Sequence, residues 1–381
     1  MDNESQEFQS MQQLCQIGDF SGLAKLAEKA VKKDSLNAAA LRYLGIANLF
    51  NGGAGDRYLL RAAMLNDSDA AIWLGVLCEF GNHPKGSLLP SDMFLQVDLM
   101  KLRQSSHIEY PIEVHIETHA ICNAKCSFCP YPTMARQGDR MPDELIDKII
   151  NDLKAIPKTH QFLVSPFKVN DPLLDKRIFS VCERLNTQLP NANLRLFTNG
   201  SPLTENVVEK IAGIRNLLHV WVSLNAAEKT EYETLMQLPF EKTLSRLDHL
   251  HRRVAAGYPH AVVLSRVMNG TSGDAHFMEF VAKRYPRFQC FMVGRSDWAG
   301  QVDIGTKKRV LPTGCSRWYE ISIMASGKVA LCCMDGEGRH VIGDVSRQSV
   351  LEIYNSPEYR KLRQFTFSRL AAATPCDTCV Y

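Results

Sequence analysis

The sequence predicts an α/β protein built on a parallel sheet, with an all-helical segment ahead of it. Two observations lead there. Up to about residue 80 every apolar pattern has a helical period, and from about residue 112 six short β-type runs alternate with helical ones. A third observation concerns chemistry. Eight of the twelve cysteines fall into two groups, one in the middle of the chain and one near its end.

With 381 residues the chain exceeds one ordinary core, so two or three units are expected, here 1–105, 106–305 and 306–381. A hydrophobic fraction of 45% against 22% charged residues is that of a packed chain rather than a disordered one. A net charge of +3 lacks the basic excess of a nucleic-acid binder. The first ten residues are polar and acidic, and no uncharged apolar run is long enough for a membrane span. A cytoplasmic protein with neither nucleic-acid nor membrane partners is therefore expected. In that setting, many cysteines point to metal or redox chemistry rather than to disulfides.

The first helical region, residues 11–80, shows a helical apolar pattern that begins with Leu14, Ile17, Leu23, Leu26, Ala27, Ala30 and Val31. It breaks at Gly18-Asp19, Asn51-Gly52-Gly53 and Asn66-Asp67. Two segments 30 positions apart, Leu41-Arg42-Tyr43-Leu44-Gly45-Ile46-Ala47 and Ala71-Ile72-Trp73-Leu74-Gly75-Val76-Leu77, are alike and resemble tetratricopeptide or Sel1-type helical pairs. A plain helical cap is the other reading. Residues 82–87 read as a linker.

The expected strands are 112–117, 162–169, 194–198, 218–224, 261–267 and 288–293, with helices at 142–153, 174–185, 204–214, 240–255 and 274–284. Alternation of this kind implies right-handed crossovers, with functional loops at the carboxyl ends of the strands. Cys15, Cys78, Cys182 and Cys290 sit singly in these patterns and read as small buried hydrophobes.

The central group, Cys122-Asn123-Ala124-Lys125-Cys126-Ser127-Phe128-Cys129, opens shortly after the first strand. Three soft thiolates in one flexible loop suit an iron–sulfur cluster, and a missing fourth ligand leaves one iron open to a further ligand. Zinc is the other reading, with His119 ahead of the loop as a fourth donor. The terminal group offers Cys315, one of Cys332 or Cys333, Cys376 and Cys379. Four thiolates suit either a coordinatively closed cluster or structural zinc.

C-x3-C-x2-C with an aromatic before its last cysteine, in the loop after the first strand of an alternating α/β region, resembles the radical S-adenosylmethionine superfamily. The resemblance covers about residues 107–311. It implies a partial (β/α)6 barrel of TIM type and a [4Fe-4S] cluster on Cys122, Cys126 and Cys129, whose open iron chelates S-adenosylmethionine. It also implies reductive cleavage to a 5′-deoxyadenosyl radical that takes a hydrogen atom from the substrate. Asn170-Asp171-Pro172 is similar to the family's Gly-Glu-Pro element, with Asn for Gly and Asp for Glu. Thr198-Asn199-Gly200 matches a common Thr-Asn-Gly, and Ser223-Leu224-Asn225 stands where many relatives have Ser-Leu-Asp. Arg266 stands where a basic residue often meets the methionine carboxylate, and Tyr131 resembles an aromatic of the adenine pocket. These imply cofactor contacts from Tyr131, Asn170, Asp171, Thr198, Ser223, Asn225 and Arg266.

The terminal order, Cys315, then Gly327 to Cys332, then Cys376-x2-Cys379, resembles the SPASM and twitch extensions. These are small α+β domains that carry auxiliary [4Fe-4S] clusters. Five cysteines match one auxiliary cluster, and the Gly-x4-Cys count selects Cys332. Adjacent strand residues face opposite ways, so only one of the pair ligates. By resemblance the enzyme oxidises or epimerises a small polar substrate such as a sugar or aminocyclitol and draws on a reductant such as flavodoxin or ferredoxin. The alternatives are modification or crosslinking of a peptide held by the helical region, and a non-enzymatic, zinc-stabilised adaptor. No acid or base residue is singled out, although Asp297 and Trp298 follow the sixth strand at the barrel mouth.

Overall fold

The computed structural model describes residues 3–80, 90–305 and 309–381; the expected linker at 82–87 lies outside them. The chain divides into two compact units, residues 1–105 with 312–314, and residues 106–311 with 315–381.

The first unit is all helical: α1 (Asn3–Ile17), α2 (Phe20–Lys33), α3 (Ala38–Phe50), α4 (Asp56–Met64), α5 (Ser68–Phe80) and α6 (Pro90–Arg103). The turn residues act as caps. Asp19 accepts from Gly22 N and Asn37 from Ala40 N, which satisfies backbone donors that the first turn leaves open. The core centres on Leu23, Ala27, Leu41, Leu44, Leu59 and Val76. Phe20, Phe50, Phe94 and Trp73 add an aromatic chain with centroids 4.5, 5.7 and 5.2 Å apart. The two similar segments lie in α3 and α5.

Close approach of α3 to α4 depends on glycine. A Cβ on Gly55 would strike the carbonyl oxygen of Gly45 and come within 2.6 Å of Leu49 Cγ. Gly55→Ala is therefore expected to cost about 1–3 kcal/mol through overpacking, read as a lower melting temperature. An unchanged melting temperature would mean that the helices do not pack this closely.

The second unit carries a nine-stranded sheet: β1 (Glu113–Ile116), β2 (Phe162–Ser165), β3 (Ala192–Thr198), β4 (Leu217–Ser223), β5 (Ala261–Val267), β6 (Gln289–Val293), β7 (Glu320–Ile323), β8 (Lys328–Ala330) and β9 (Val341–Asp344). The order is β6-β5-β4-β3-β2-β1-β7-β8-β9. The first six strands run parallel, as expected, and form an open partial barrel. Between them lie α7 (Asp143–Leu153), α8 (Ile178–Gln188), α9 (Glu205–Ala212), α10 (Lys229–Met236), α11 (Phe240–Ala255) and α12 (Ser272–Arg284). Val114, Ile116, Val164, Leu194, Leu196, Val220, Val222 and Leu264 join the helices in one core.

The terminal segment continues this sheet. β7 adds in parallel to β1, pairing Glu113 with Glu320 and His115 with Ser322, before the antiparallel β8 and β9. Two short helices follow, α13 (Val350–Tyr354) and α14 (Pro357–Phe365). Of the single cysteines, Cys15 and Cys182 are buried, but Cys78 and Cys290 are exposed, the latter on the edge strand β6. No helix among the described residues is long and apolar enough to cross a membrane.

Candidate active site

A cavity of about 590 Å³ opens on the face of the sheet away from the core. Side chains alternate along a strand, so the residues that do not join the core turn to this side: Glu113 and His115 on β1, Arg195 and Phe197 on β3, Trp221 and Ser223 on β4. On β5 the inward positions are Ser265 and Val267.

The loop after β1 brings Cys122, Cys126 and Cys129 to the same cavity. Its backbone is held from two sides. Lys125 N donates to Met236 O and Ser127 N to Leu235 O at the end of α10, each at 3.1 Å, and Asp171 N donates to Ile121 O at 2.8 Å. The Cys126 Sγ lies 3.4 Å from the Met236 Sδ, and Asn199 Nδ2 donates to Asn123 Oδ1 at 2.9 Å. Burial and the Asp171 carboxylate push the Cys122 thiol up to about 11, and burial takes Cys129 to about 12. Burial together with the two neighbouring cysteines raises Cys126 as well. Such thiols ionise only when a positive centre arrives to bind them.

Tyr131, Asn170, Asp171, Thr198, Ser223 and Asn225 all line this cavity. Asp171 is buried and fastens two strand ends together. Its carboxylate accepts from Thr198 Oγ1 and Asn199 N at 2.9 Å and from Leu173 N at 3.1 Å, while burial lifts it to about 6. Asn225 adopts a left-handed backbone conformation, φ 65°, and its Oδ1 accepts from Val267 N at 2.9 Å. Trp298 lines the cavity too and donates through Nε1 to Phe128 O at 2.9 Å, whereas Asp297 does not line it.

Arg266 is a correction to the sequence reading. Since Ser265 and Val267 face inward, Arg266 points outward and is fully buried. It bonds Glu231 and Asp274, each at 2.7 Å, and the Asn225 carbonyl. It does not line the cavity.

Residues that sequence reasoning missed complete the wall. Glu113 accepts from Arg195 at 2.7 Å and from Ser165. His115 Nε2 lies 3.0 Å from Glu320, whose carboxylate is gripped by Arg317 at 2.7 and 2.9 Å. That carboxyl sits near 2, lowered by Arg317 and His115 against the cost of burial. An aromatic row of Phe167, Phe197, Trp221 and Phe291, with centroids 4.8, 5.7 and 4.9 Å apart, forms another side.

A second, small cavity is lined by Cys315, Cys332, Cys376 and Cys379, with Arg369 and Trp318 beside them. Cys333 opens instead into the large cavity. The turn carrying both is tied down by the buried Lys168, whose Nζ donates to the carbonyls of Cys332 and Cys333 at 3.3 and 3.4 Å.

Cluster and zinc make different demands on spacing. Sulfurs around one tetrahedral zinc stand roughly 4 Å apart. Among the described residues the one set of three or more donors lying within 4.8 Å of one another is His115, Glu320 and Cys333, so both cysteine groups are spread more widely than one ion requires. His119 pairs with Arg140 in an isolated bridge and lines neither cavity. The donor sets fit clusters.

The radical SAM superfamily model matches residues 116–281, and the iron–sulfur cluster-binding SPASM domain model matches residues 315–380. No curated protein matches the chain. Among solved structures, Streptococcus suis SuiB bound to precursor peptide SuiA has a TM-score of 0.55 at 14% identity, covering 81% of this chain and 82% of its own. Native anSMEcpe with bound AdoMet has a TM-score of 0.51 at 13% identity, covering 68% and 83%. BtrN in complex with AdoMet and 2-DOIA has a TM-score of 0.47 at 14% identity, covering 71% and 93%. At such identities the likeness concerns the fold. The two matched domains bring with them a [4Fe-4S] cluster, S-adenosylmethionine and auxiliary iron–sulfur ligation. The chain belongs to the radical SAM superfamily and carries a C-terminal SPASM domain.

Proposed function

We propose that the chain takes a hydrogen atom from a small polar substrate, such as a sugar or aminocyclitol, and oxidises or epimerises it. One observation carries the reading. The three loop cysteines share a single cavity of about 590 Å³ with an aromatic row and a ring of charged side chains, a combination suited to a compact molecule with flat faces and hydroxyl groups.

In this reading Cys122, Cys126 and Cys129 hold the first cluster, and Cys315, Cys332, Cys376 and Cys379 hold one auxiliary cluster. Bound there, the groups supply a 5′-deoxyadenosyl radical and a site of electron exchange. The chain does the rest. Asp171, fixed by three donors, presents a carboxylate to the methionine ammonium, with Asn170, Thr198, Ser223 and Asn225 around the same end and Tyr131 beside the adenine. Glu113, His115, Arg195 and Glu320 orient substrate hydroxyls, while Phe197 and Trp221 exclude water from the reacting carbon. Residues 1–105, with their paired segments, act as a separate helical-repeat domain.

A second reading has its own support. β6 is an edge strand on which Gln289, Cys290 and Phe291 are exposed, and Phe291 belongs to the aromatic row. An extended peptide could pair with that edge and insert one side chain. SuiB, of similar fold, is solved with a precursor peptide.

The test is anaerobic reconstitution with iron and sulfide, followed by S-adenosylmethionine and dithionite. Release of 5′-deoxyadenosine is expected, with deuterium carried from a labelled sugar or aminocyclitol. Deuterium transfer from a labelled peptide instead would favour the second reading. Binding of zinc alone, with no cleavage, would leave the adaptor.

A further inference from the structure

We infer that Cys333 is a hydrogen-atom donor to carbon radicals formed in the large cavity. The inference rests on the reading just given and selects its epimerising branch. Cys332 and Cys333 are neighbours in the chain, yet Cys332 lines the small four-cysteine cavity and Cys333 lines the large one that holds the loop cysteines. Cys333 is therefore a thiol left over from cluster ligation and delivered to the place where substrate radicals arise.

Its surroundings are built rather than incidental. The atoms of His115, Glu320 and Cys333 that could bind a ligand lie within 4.8 Å of one another. His115 is 5% exposed and lines the cavity, and its Nδ1 has no hydrogen-bond partner. A cation is a poor occupant, because Arg317 already grips both oxygens of Glu320 and the Lys168 ammonium lies on the Cys333 carbonyl. A thiol facing a radical has a different use. Its S–H bond is weaker than an aliphatic C–H or an alcoholic O–H, so transfer of the hydrogen to carbon runs downhill.

The substrate loses a hydrogen atom to the deoxyadenosyl radical. The resulting carbon radical then takes the hydrogen atom of Cys333; a C–H bond forms, the S–H bond breaks, and a thiyl radical remains. One electron from a low-potential one-electron reductant, the class already required to cleave S-adenosylmethionine, and one proton from the hydrogen-bonded His115–Glu320 pair restore the thiol. If the new hydrogen arrives on the face opposite to the one removed, the carbon is inverted with no net oxidation.

S-adenosylmethionine alone is a sufficient probe, since its own cleavage places a carbon radical in the cavity. Reconstituted protein is exchanged into D2O and given S-adenosylmethionine and dithionite without substrate, and the 5′-deoxyadenosine is weighed by mass spectrometry. The wild type is expected to yield product with one non-exchangeable deuterium, and Cys333→Ser to lower the deuterated fraction several-fold. Iron content is the second readout. Cys333→Ser and Cys333→Ala should retain the iron of the wild type, whereas Cys332→Ala should lose about four irons. An unchanged deuterated fraction in both Cys333 variants, a fall instead in Tyr381→Phe, whose hydroxyl-bearing ring also lines the large cavity, or loss of iron in Cys333→Ala would each overturn the inference. Absence of any deoxyadenosine from the wild type would overturn the proposed function itself.

Discussion

Replacing Cys126 by alanine is expected to remove about four irons from the reconstituted protein and to bring 5′-deoxyadenosine release down to background. The loop does not depend on this side chain for its path. Lys125 and Ser127 on either side are hydrogen-bonded to the end of α10, and Cys129 N donates to Cys126 O at 3.1 Å. Alanine therefore removes a sulfur and leaves the backbone in place. Two sulfurs cannot hold a cluster that three hold, and the loss should be complete rather than graded. Iron and sulfide analysis with chromatography of the nucleoside product measures both effects. Cys182→Ala is the control: Cys182 is buried on α8 in the core between the sheet and its helices, and its loss should leave iron and product unchanged. Full iron retention by Cys126→Ala would remove the basis for assigning the loop to a cluster.

How much of this was legible beforehand depended on the range of each interaction. The six parallel strands and both cysteine groups could be read because each is a local pattern, periodicity in one case and spacing in the other. Arg266 was misplaced by strand parity. Its position at the end of β5 was right, but one residue along a strand changes the face. β7 could not be read as part of the barrel sheet, since its partner β1 lies some two hundred positions earlier and no local signal announces the pairing. Helices α6 and α10 were also missed, and Met236 at the end of α10 stands against Cys126.

The charged ring did leave a trace. Buried parallel strands read as near-continuous apolar runs, yet Glu113 and His115 on β1 and Arg195 on β3 break them at alternate positions. Such breaks mark an inner face that is wet or occupied, and they would have found Glu113, His115 and Arg195 without a structure. Glu320 needed the β1–β7 pairing.

Arg363→Ala is expected to give the largest loss of stability in the second unit, about 3–5 kcal/mol. Arg363, on α14, is fully buried. Its guanidinium donates to the carbonyls of Ile108 and Trp318 at 3.3 Å and of Tyr354 at 2.6 Å, and it lies 3.7 Å from the Tyr354 ring centroid and 5.1 Å from that of Tyr359. Those tyrosines are tethered in turn. Tyr354 donates to His107 O at 2.7 Å and Tyr359 to Glu320 O at 2.6 Å. One planar fork thus joins the segment before β1, the turn before β7 and the two terminal helices. Alanine would leave several buried carbonyls without donors and a void between two aromatic rings. Lysine should recover little, because a single ammonium cannot reach three carbonyls that point from different directions. A fall of about 10 °C in melting temperature is expected for alanine, with lysine close behind. Since Trp318, whose carbonyl Arg363 holds, lines the small four-cysteine cavity beside Cys315, such a loss should also reach that cavity and lower iron retention on dilution. A melting temperature unchanged in Arg363→Ala would show that these segments hold together without the guanidinium.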